Sequence, residues 1–435
     1  MKDKFFLEKN ELLGIKYMNI LLITDDFYPN LGGVSQVSTN IYKSFKTSIH
    51  NLYVINPYSE CENVFKTLER KNFKLKDLRK FLFDKHKLFL IFLSFWKILT
   101  DKRTHFDERI KIFFHLILRP KLTMLIIHNL NRIYPLFKQL KIDLILSGNS
   151  GWILCLNFIL SRILNKKIVT IAHGNDFLIR SPLSLKTFYF KNIDKVIVTN
   201  RRMKEIIKKM HHLKDKNLSI INLGINPQEL LVEKSKEELR TELKVANDKF
   251  IILSVGRHNP RKRFDLVIEA INNIRNSHPN LNLKYLLIGE GEKTEYLKKL
   301  TRTLNLEKYI EFLGPCDNER RNKFYKLSDL FIMPSSTKKT NIEGFGIVFL
   351  EANYFKLPVI GTKAGGISEA IIDEKTGFLI KPDDLNELIS KIMLFYNNPQ
   401  KRIDMGEYGY NRVIKKFVWN KIIQDYLQLF KELIE

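Results

Sequence analysis

Apolar residues along the chain fall into short, nearly unbroken runs of Ile, Val and Leu, and a longer stretch with helical periodicity follows most of them. Strands without polar alternation belong to sheets covered on both faces, and their alternation with helices indicates βαβ units with parallel strands. In the first half of the chain the pattern predicts strands at Ile20–Ile23, Leu52–Ile55, Leu144–Leu146, Ile168–Ala172 and Val196–Val198. The fold class is therefore α/β.

The same pattern starts again after residue 249. It predicts a second series of strands at Phe250–Val255, Tyr285–Ile288, Leu330–Met333, Val359–Ile360 and Phe378–Ile380. The helices predicted between them include Phe264–Arg275, Thr294–Leu304 and Leu385–Tyr396. Two such series indicate two Rossmann-like, doubly wound parallel-sheet domains facing each other across a cleft.

The stretch between the two series, GINPQELLVEKSKEELRTELKVANDKF, is polar and poor in strand-forming residues. We place the domain boundary within residues 224–249. A chain of 435 residues is long enough for two domains of ordinary size. Ligands of doubly wound sheets bind beyond the carboxyl ends of the strands, so chemistry is expected there.

The formal net charge of +26 attracts polyanions, which include nucleic acid, anionic lipid and phosphorylated substrates. Charge does not choose among them, and codon bias toward lysine is an alternative explanation of part of it. The sequence has no RNP-like, zinc-finger or aromatic-stacking pattern, which disfavours nucleic-acid binding. Three distant cysteines, Cys61, Cys155 and Cys316, support neither a zinc site nor a disulfide framework and fit a reducing cytosol.

Residues 60–121 depart from the strand–helix alternation and carry 16 Lys and Arg against 8 Asp and Glu. Their longest apolar run, Leu88–Trp96, is too short to span a bilayer, which takes roughly 20 residues. Apolar helices flanked by basic residues fit either a membrane surface or a buried helix with solvated lysines beside it. The first 17 residues lack a signal-peptide core, and Met18 is an alternative start to a loosely held extension.

Two cations follow the first strand of the second series, in VGRHNPRKRFD. Arg257 and Lys262 stand at the predicted carboxyl end of that strand, where they can neutralise a diphosphate. Arg261 and Arg263 are expected to be solvated or to lie behind this pair. A basic surface loop is the alternative interpretation, but it explains only the charge and not the position.

Two motifs of the first series also follow strands. Gly33, in GGV, opens a predicted helix whose free N–H groups suit an anion, although a structural turn is an equal alternative. His173, in AHGND, lies at a strand end beside a glycine. It is a candidate donor to a sugar hydroxyl or carbonyl, and the alternative is a structural histidine.

The stretch EGFGIVFLEA holds two carboxylates eight residues apart. Glu343 precedes a predicted helix and Glu351 lies about one turn inside it, so they are separated along a ligand and do not form a shared-proton dyad. This spacing fits two hydroxyl-bearing groups better than a metal ion. The backbone N–H groups of Phe345, Gly346 and Ile347 are expected to face the ligand. Asp25 and Asp26 are interpreted as structural or acceptor-side residues, not as a metal site.

Taken in order, GGV, HG, GR, GEG, FLG, EGFGIVFLEA, PVIGTKAGGISE and TGFL resemble the motifs of the family 4 retaining glycosyltransferases, which have the GT-B fold. The matches span nearly the whole chain and are densest over residues 250–382. Ser368 stands where the family often has proline, and Arg263 replaces a glycine that is common there; neither removes a charge that the chemistry needs.

The resemblance implies a role for each motif residue. Arg257 and Lys262 would bind the diphosphate and stabilise the leaving group. Glu351 would bind ribose hydroxyls. Glu343 would clamp the donor sugar together with the N–H groups of Phe345, Gly346 and Ile347, His173 would contact the transferred sugar, and Gly33 would approach the donor phosphates. A C-terminal helix within 415–435 would cross back to the first domain, so the resemblance implies a first domain of 1–224 with 415–435 and a second domain of 225–414.

The implied function is transfer of a hexose from a UDP- or GDP-sugar to a glycan or lipid-linked acceptor, with retained configuration, as in polysaccharide biosynthesis. No cofactor and no bound metal are expected. The implied location is the cytoplasm. Peripheral attachment to the inner face of an anionic membrane is a further possibility that the resemblance raises. A GT-B sugar-nucleotide epimerase is the alternative enzyme; a basic nucleic-acid-binding protein and a non-catalytic sugar-binding protein are alternatives of other classes.

Overall fold

The computed structural model describes residues 17–24, 33–46, 50–55, 140–178, 185–336 and 343–435, together with the isolated positions 96, 100, 110, 116, 123, 126 and 130. The basic segment 60–121, with its two predicted environments, lies outside this part of the chain apart from isolated positions. So do Asp25, Asp26 and residues 1–16.

The first sheet has six parallel strands in the order β2-β1-β3-β4-β5-β6. The strands are β1 Asn19–Ile23, β2 Asn51–Ile55, β3 Leu144–Ser147, β4 Lys167–Ala172, β5 Lys195–Val198 and β6 Leu218–Ile220. The described α-helices of this part are Gly33–Lys46, Trp152–Leu164, Lys186–Asn192 and Arg201–His211. The central strands β3 and β4 are almost wholly buried, as expected of a sheet covered on both faces.

The second sheet also has six parallel strands, in the order β12-β11-β10-β7-β8-β9. Its strands are β7 Phe250–Val255, β8 Leu283–Ile288, β9 Ile310–Gly314, β10 Leu330–Ile332, β11 Val359–Thr362 and β12 Gly377–Ile380. The α-helices from residue 236 onward are Lys236–Glu242, Phe264–Ser277, Thr294–Thr303, Asn318–Leu327, Ile347–Tyr354, Ile367–Ala370, Leu385–Asn397, Pro399–Lys416 and Trp419–Ile434. All six residues of β7 are buried, which makes this strand the centre of the second core.

Contacts divide the chain into two compact units. One comprises Met1–Val198, Lys204–Ile221 and Ile423–Glu435, and the other comprises Thr199–Met203 and Asn222–Ile422. The domain limits predicted from the sequence, 1–224 with 415–435 and 225–414, stay predictions, as does the cleft.

The predicted strands are confirmed, with ends that shift by one or two residues, but β6 and β9 were not predicted. Both are the last strand of their sheet, and both are partly exposed. Ser219 interrupts the three-residue β6, and Glu311 interrupts β9. The edge strands at the other side of each sheet, β2 and β12, keep an apolar run and were predicted, so the polar residues inside β6 and β9 explain why these two strands give no signal.

No described helix combines the length and the apolarity that crossing a membrane requires.

Candidate functional site

A buried ion pair lies beyond the carboxyl ends of β7 and β10. The Lys262 ammonium is 2.8 Å from the Glu343 Oε2 atom and 3.0 Å from the Met333 sulfur. Lys262 belongs to a one-turn 3₁₀ helix, Pro260–Lys262, whose Asn259 cap accepts a hydrogen bond from the Lys262 N–H group. The polar cluster therefore occupies the edge of the sheet at which ligands of this fold class bind.

Burial and charge act in opposite directions on this pair. Burial alone would raise the pKa of Glu343, but the positive charges of Lys262 and Arg261 hold it below its usual value. Burial lowers the pKa of Lys262, and the charge of Glu343 opposes that shift. The carboxylate is therefore charged at neutral pH, ready to accept hydrogen bonds.

The three arginines of this loop differ in environment. Arg257 is exposed, and its guanidinium makes no ion pair or hydrogen bond with any residue the structure describes, so it is available to an incoming anion. Arg261 was expected either to be solvated or to lie behind the pair, and the second alternative fits: its side chain is 18% exposed and its guanidinium lies 3.6 Å from Glu343. Arg263 lies behind the pair, as expected, where it donates to Asp265 and contacts Asp383.

The Gly344–Gly346 segment presents backbone donors beside Glu343. None of the N–H groups of Phe345, Gly346 and Ile347 donates to a described residue, and Gly346 caps helix Ile347–Tyr354 without a side-chain bond. Gly346 has φ 84°, and a Cβ there would lie 2.8 Å from the Phe349 ring. The predicted free N–H groups are thus in place at a helix N-terminus, which favours an anionic or hydroxyl-bearing ligand.

Glu351 has a separate set of partners. The Tyr325 hydroxyl donates to its Oε2 atom at 3.0 Å, and the Arg321 guanidinium lies 3.7 Å from its Oε1 atom. The Glu351 side chain is 8% exposed. The expectation that Glu343 and Glu351 act apart agrees with this geometry, because no described group bridges them. Tyr325 and Arg321 were not anticipated as site residues.

The two glycines of KAGGISE hold the segment that carries Glu343. The Gly366 N–H group donates to the Glu343 carbonyl at 2.9 Å. Gly365 has φ 56°, and a Cβ there would lie 2.3 Å from the same carbonyl oxygen. Only glycine permits this close approach of two backbones, so the second motif positions the first.

We expect Gly365→Ala to lower the free energy of unfolding by about 2–3 kcal/mol, because the new methyl group must displace the Glu343 backbone in addition to straining the chain. Gly314→Ala is the matched control: Gly314 also has a left-handed φ, 69°, but nothing lies within 4 Å of its would-be Cβ. Only the backbone penalty, about 1 kcal/mol, is expected there. Urea denaturation measures both, and equal losses would contradict the proposed support of Glu343.

In the first unit, His173 directly follows β4, as predicted. Its Nε2 atom is 2.8 Å from the Gly148 carbonyl, so this nitrogen carries a proton and donates. In a neutral imidazole the Nδ1 atom is then an acceptor. Through this atom a neutral imidazole accepts a hydrogen bond from a sugar hydroxyl and an imidazolium donates one, so the predicted role of His173 as a donor to the sugar stays a prediction.

Asp176 orders the loop around His173, and the sequence analysis did not single it out. Its carboxylate accepts from the N–H groups of His173 and Gly174 at 2.9 and 2.8 Å, and from the Ser150 hydroxyl at 2.9 Å. Gly33 is the first residue of helix Gly33–Lys46, as the GGV motif predicted. Its approach to donor phosphates stays a prediction.

Within the described ranges, no three His, Cys, Asp or Glu side chains converge as metal ligands do. The prediction that the protein uses no metal and no cofactor stays a prediction.

The structure thus brings together Lys262, Glu343 and the N–H groups of residues 345–347 in the second unit. Arg257 stands in the same loop as Lys262 without contacting the pair. Glu351 forms its own group, and His173 and Gly33 belong to the first unit.

Comparison with known proteins gives two family matches that together cover most of the chain. The model of glycosyltransferase family 4 matches residues 31–229, and the model of glycosyl transferases group 1 matches residues 235–412. An uncharacterized glycosyltransferase of Methanocaldococcus jannaschii is 30% identical over 283 residues, which is 64% of this chain and 72% of that protein.

Solved structures show the same fold at low sequence identity. A glycosyltransferase from Rickettsia africae superposes with a TM-score of 0.72 at 18% identity, over 97% of this chain and all of the other. The HepE protein of Anabaena, solved in complex with UDP-glucose, gives a TM-score of 0.65 at 18% identity, over 96% of this chain and all of that one.

These matches confirm the GT-B fold and the predicted enzyme class, a glycosyltransferase of the hexosyltransferase type. The chain belongs to the family 4 glycosyltransferases.

Proposed function

We propose that the protein transfers a hexose from a nucleoside diphosphate sugar to an acceptor hydroxyl, with retention of the anomeric configuration. The observation that carries this proposal is the buried Lys262–Glu343 pair. It lies beside the N–H groups of residues 345–347, which donate to no described residue. A diphosphate needs cations and a donor sugar needs hydroxyl acceptors, and both occur here within one loop cluster. The UDP-glucose bound to HepE, a protein of the same fold, supports a donor of this class.

The cations act on the leaving group. As the bond from the sugar C1 atom to the phosphate oxygen breaks, negative charge develops on the diphosphate. Lys262 and Arg257 stabilise that charge, and Arg261, held beside Glu343, adds to the positive potential. Because Lys262 is fixed by Glu343 before substrate arrives, little reorganisation is needed during the reaction.

The remaining groups orient the sugar and the nucleoside. Glu343 and the neighbouring N–H groups bind hydroxyls of the donor sugar, Glu351 binds the ribose hydroxyls, and His173 accepts from a sugar hydroxyl. The acceptor oxygen forms its bond to C1 on the face that the phosphate leaves, and the acceptor proton passes to the departing phosphate oxygen. This mechanism requires no protein nucleophile. The alternative enzyme, a sugar-nucleotide epimerase, would differ because it needs no acceptor.

Titration calorimetry with UDP, GDP, ADP and their sugar conjugates tests the donor class. We expect the wild type to bind the nucleotides of one base with micromolar affinity and Arg257→Ala to lose this binding. Arg257 is exposed, so its replacement should not disturb the fold. A folded wild-type protein that binds no nucleotide would overturn the proposal.

For the acceptor, we propose a lipid-linked or cell-surface glycan precursor, used at the cytoplasmic face of a membrane to which the protein binds peripherally. The net charge of +26 supports attraction to anionic lipid. The protein is expected to sediment with phosphatidylglycerol vesicles at low salt and to be released at high salt. Indifference to such vesicles at low salt would contradict membrane binding.

A further inference from the structure

A basic pocket lies at the amino ends of the strands of the second sheet, opposite the end at which Lys262 and Glu343 lie. Its volume is about 340 Å³, and its wall includes Asp329 and Pro358, the residues that directly precede β10 and β11. In a parallel sheet these are the amino ends of the strands, whereas the donor residues follow the carboxyl ends. We call this site the amino-end pocket; the donor chemistry proposed above does not use it.

Cations outnumber carboxylates at this pocket. The Lys236 ammonium lies 2.6 Å from Asp329 Oδ1, and the Arg240 guanidinium, behind the wall, lies 2.7 Å from Asp329 Oδ2. Arg240 is also bonded to the carbonyls of Leu327 and Asn247. One carboxylate thus serves two cations, and the group keeps a net positive charge.

Two further cations of the wall have no carboxylate partner among the described residues. The Lys326 side chain makes no ion pair or hydrogen bond within that part of the chain. Arg402 uses its Nη1 atom to donate to the carbonyls of Phe395 and Tyr396, and its guanidinium lies over the Phe250 ring, 5.1 Å from the ring centroid; its other nitrogens bond to no described acceptor. A fifth cation, Lys356, is paired with Glu407.

Burial and mutual repulsion both affect the pKa values of these cations. Burial lowers the pKa of Lys236, and the charges of Arg240 and Arg402 add to that shift against the attraction of Asp329. Burial likewise lowers the pKa of Arg402, with Arg240 contributing. A bound anion would relieve this mutual repulsion.

The floor of the pocket is apolar. Leu357 and Pro358 are buried, Phe355 is half-buried, and Ile403 is 56% exposed at the rim. Pro399 also lines the pocket and begins an 18-residue helix. The side chain of its N-cap residue, Asn398, donates to the Leu394 carbonyl and does not cap the helix, so the positive end of the helix dipole adds to the field. Cations beside apolar surface suit an anion that carries an apolar group.

We propose that the amino-end pocket binds an organic phosphate, with the phosphate on Lys326, Lys236 and Arg402 and the apolar group on Leu357 and Pro358. The four segments that form the pocket are separated by as many as 166 positions, from Lys236 to Arg402, so no local sequence motif predicts it. The same chemistry could reach the pocket as a soluble ester or as the phosphate of a lipid headgroup.

The test compares binding of 1-naphthyl phosphate to the wild-type protein and to two variants at about 0.15 M salt, where general charge attraction is screened. Lys326→Gln removes a cation that has no partner among the described residues and is expected to weaken binding about 10-fold, as loss of one charge-assisted hydrogen bond does. Lys401→Gln makes the same charge change on an exposed residue outside the pocket wall. It is expected to change affinity by less than about 2-fold.

Ile403→Glu places a negative charge at the exposed rim and is expected to abolish binding without disturbing the core. A second arm repeats the comparison with phosphatidylcholine vesicles that contain phosphatidate. Loss of ester binding in Lys326→Gln but not in Lys401→Gln supports a soluble ligand. If the naphthyl ester does not bind but Lys326→Gln, unlike Lys401→Gln, weakens binding to the phosphatidate vesicles, the ligand is a lipid headgroup. Absence of binding in both arms, or equal losses in the two lysine variants, would overturn the proposal.

Discussion

Replacing Lys262 with methionine is expected to lower kcat/KM for donor turnover about 10³-fold, because the ammonium faces the charge that develops on the leaving diphosphate. The same change leaves the Glu343 carboxylate, whose side chain is only 10% exposed, without its closest cation. The free energy of unfolding should fall by about 3 kcal/mol, the usual cost of breaking a buried pair on one side.

The control is the double variant Lys262→Met/Glu343→Gln, which removes both charges. Its stability should return most of the way to that of the wild type, whereas its activity should stay low. Recovery of activity together with stability would show that Lys262 acts only as a structural partner of Glu343.

The stability of Lys262→Met is also expected to depend on pH in a way that differs from the wild type. In the wild type the pKa of Glu343 is lowered, so its ionisation stabilises the fold above the usual value of 4.5, and this contribution is lost as pH falls through the lowered value. Without Lys262 the pKa of Glu343 should rise, since burial then opposes ionisation with less compensation. The stability deficit of Lys262→Met should therefore shrink as pH falls from 7 toward 4. A deficit that is constant over this range would contradict the assigned pair.

Replacing Glu351 with glutamine is expected to weaken binding of the preferred nucleoside diphosphate about 10²-fold, since a ribose can donate two charge-assisted hydrogen bonds to the carboxylate. Tyr325→Phe is the matched control. It removes the hydroxyl that lies 3.0 Å from the carboxylate but keeps the carboxylate itself, so a loss of no more than about 5-fold is expected.

A ligand without ribose hydroxyls isolates the interaction. The 2′,3′-dideoxy form of the same nucleotide should bind the wild type and Glu351→Gln with similar affinity, because neither pair makes the ribose contact. Calorimetry of the four combinations gives the coupling directly. If the dideoxy ligand distinguishes the two proteins as strongly as the ribose form does, Glu351 has a different role.

Central strands and the motif loops could be predicted from the sequence because their signals are local. β7 was placed at Phe250–Val255, and the structure has those limits. The separation of Glu343 from Glu351 followed from their positions before and inside one helix. β6 and β9 could not be found in this way, because Ser219 and Glu311 interrupt their short apolar runs.

Features that depend on tertiary contacts lay beyond sequence reasoning. Arg261 stands among other basic residues of a loop, and only the fold shows that it turns toward Glu343 and Arg257 does not. Gly365 supports Glu343 across more than twenty positions of sequence. The acceptor character of the His173 Nδ1 atom follows from a contact with the Gly148 carbonyl that no motif encodes.

The central claim is retaining transfer from a nucleoside diphosphate sugar, and proton NMR of slow donor hydrolysis tests it without knowledge of the acceptor. The panel of sugar nucleotides is incubated with the wild type and with Lys262→Met/Glu343→Gln, and the released sugar is observed before its anomers equilibrate. We predict that the wild type releases one sugar in the anomeric configuration of its donor and that the double variant releases none above background. Release with inverted configuration, or equal release by the two proteins, would contradict the account.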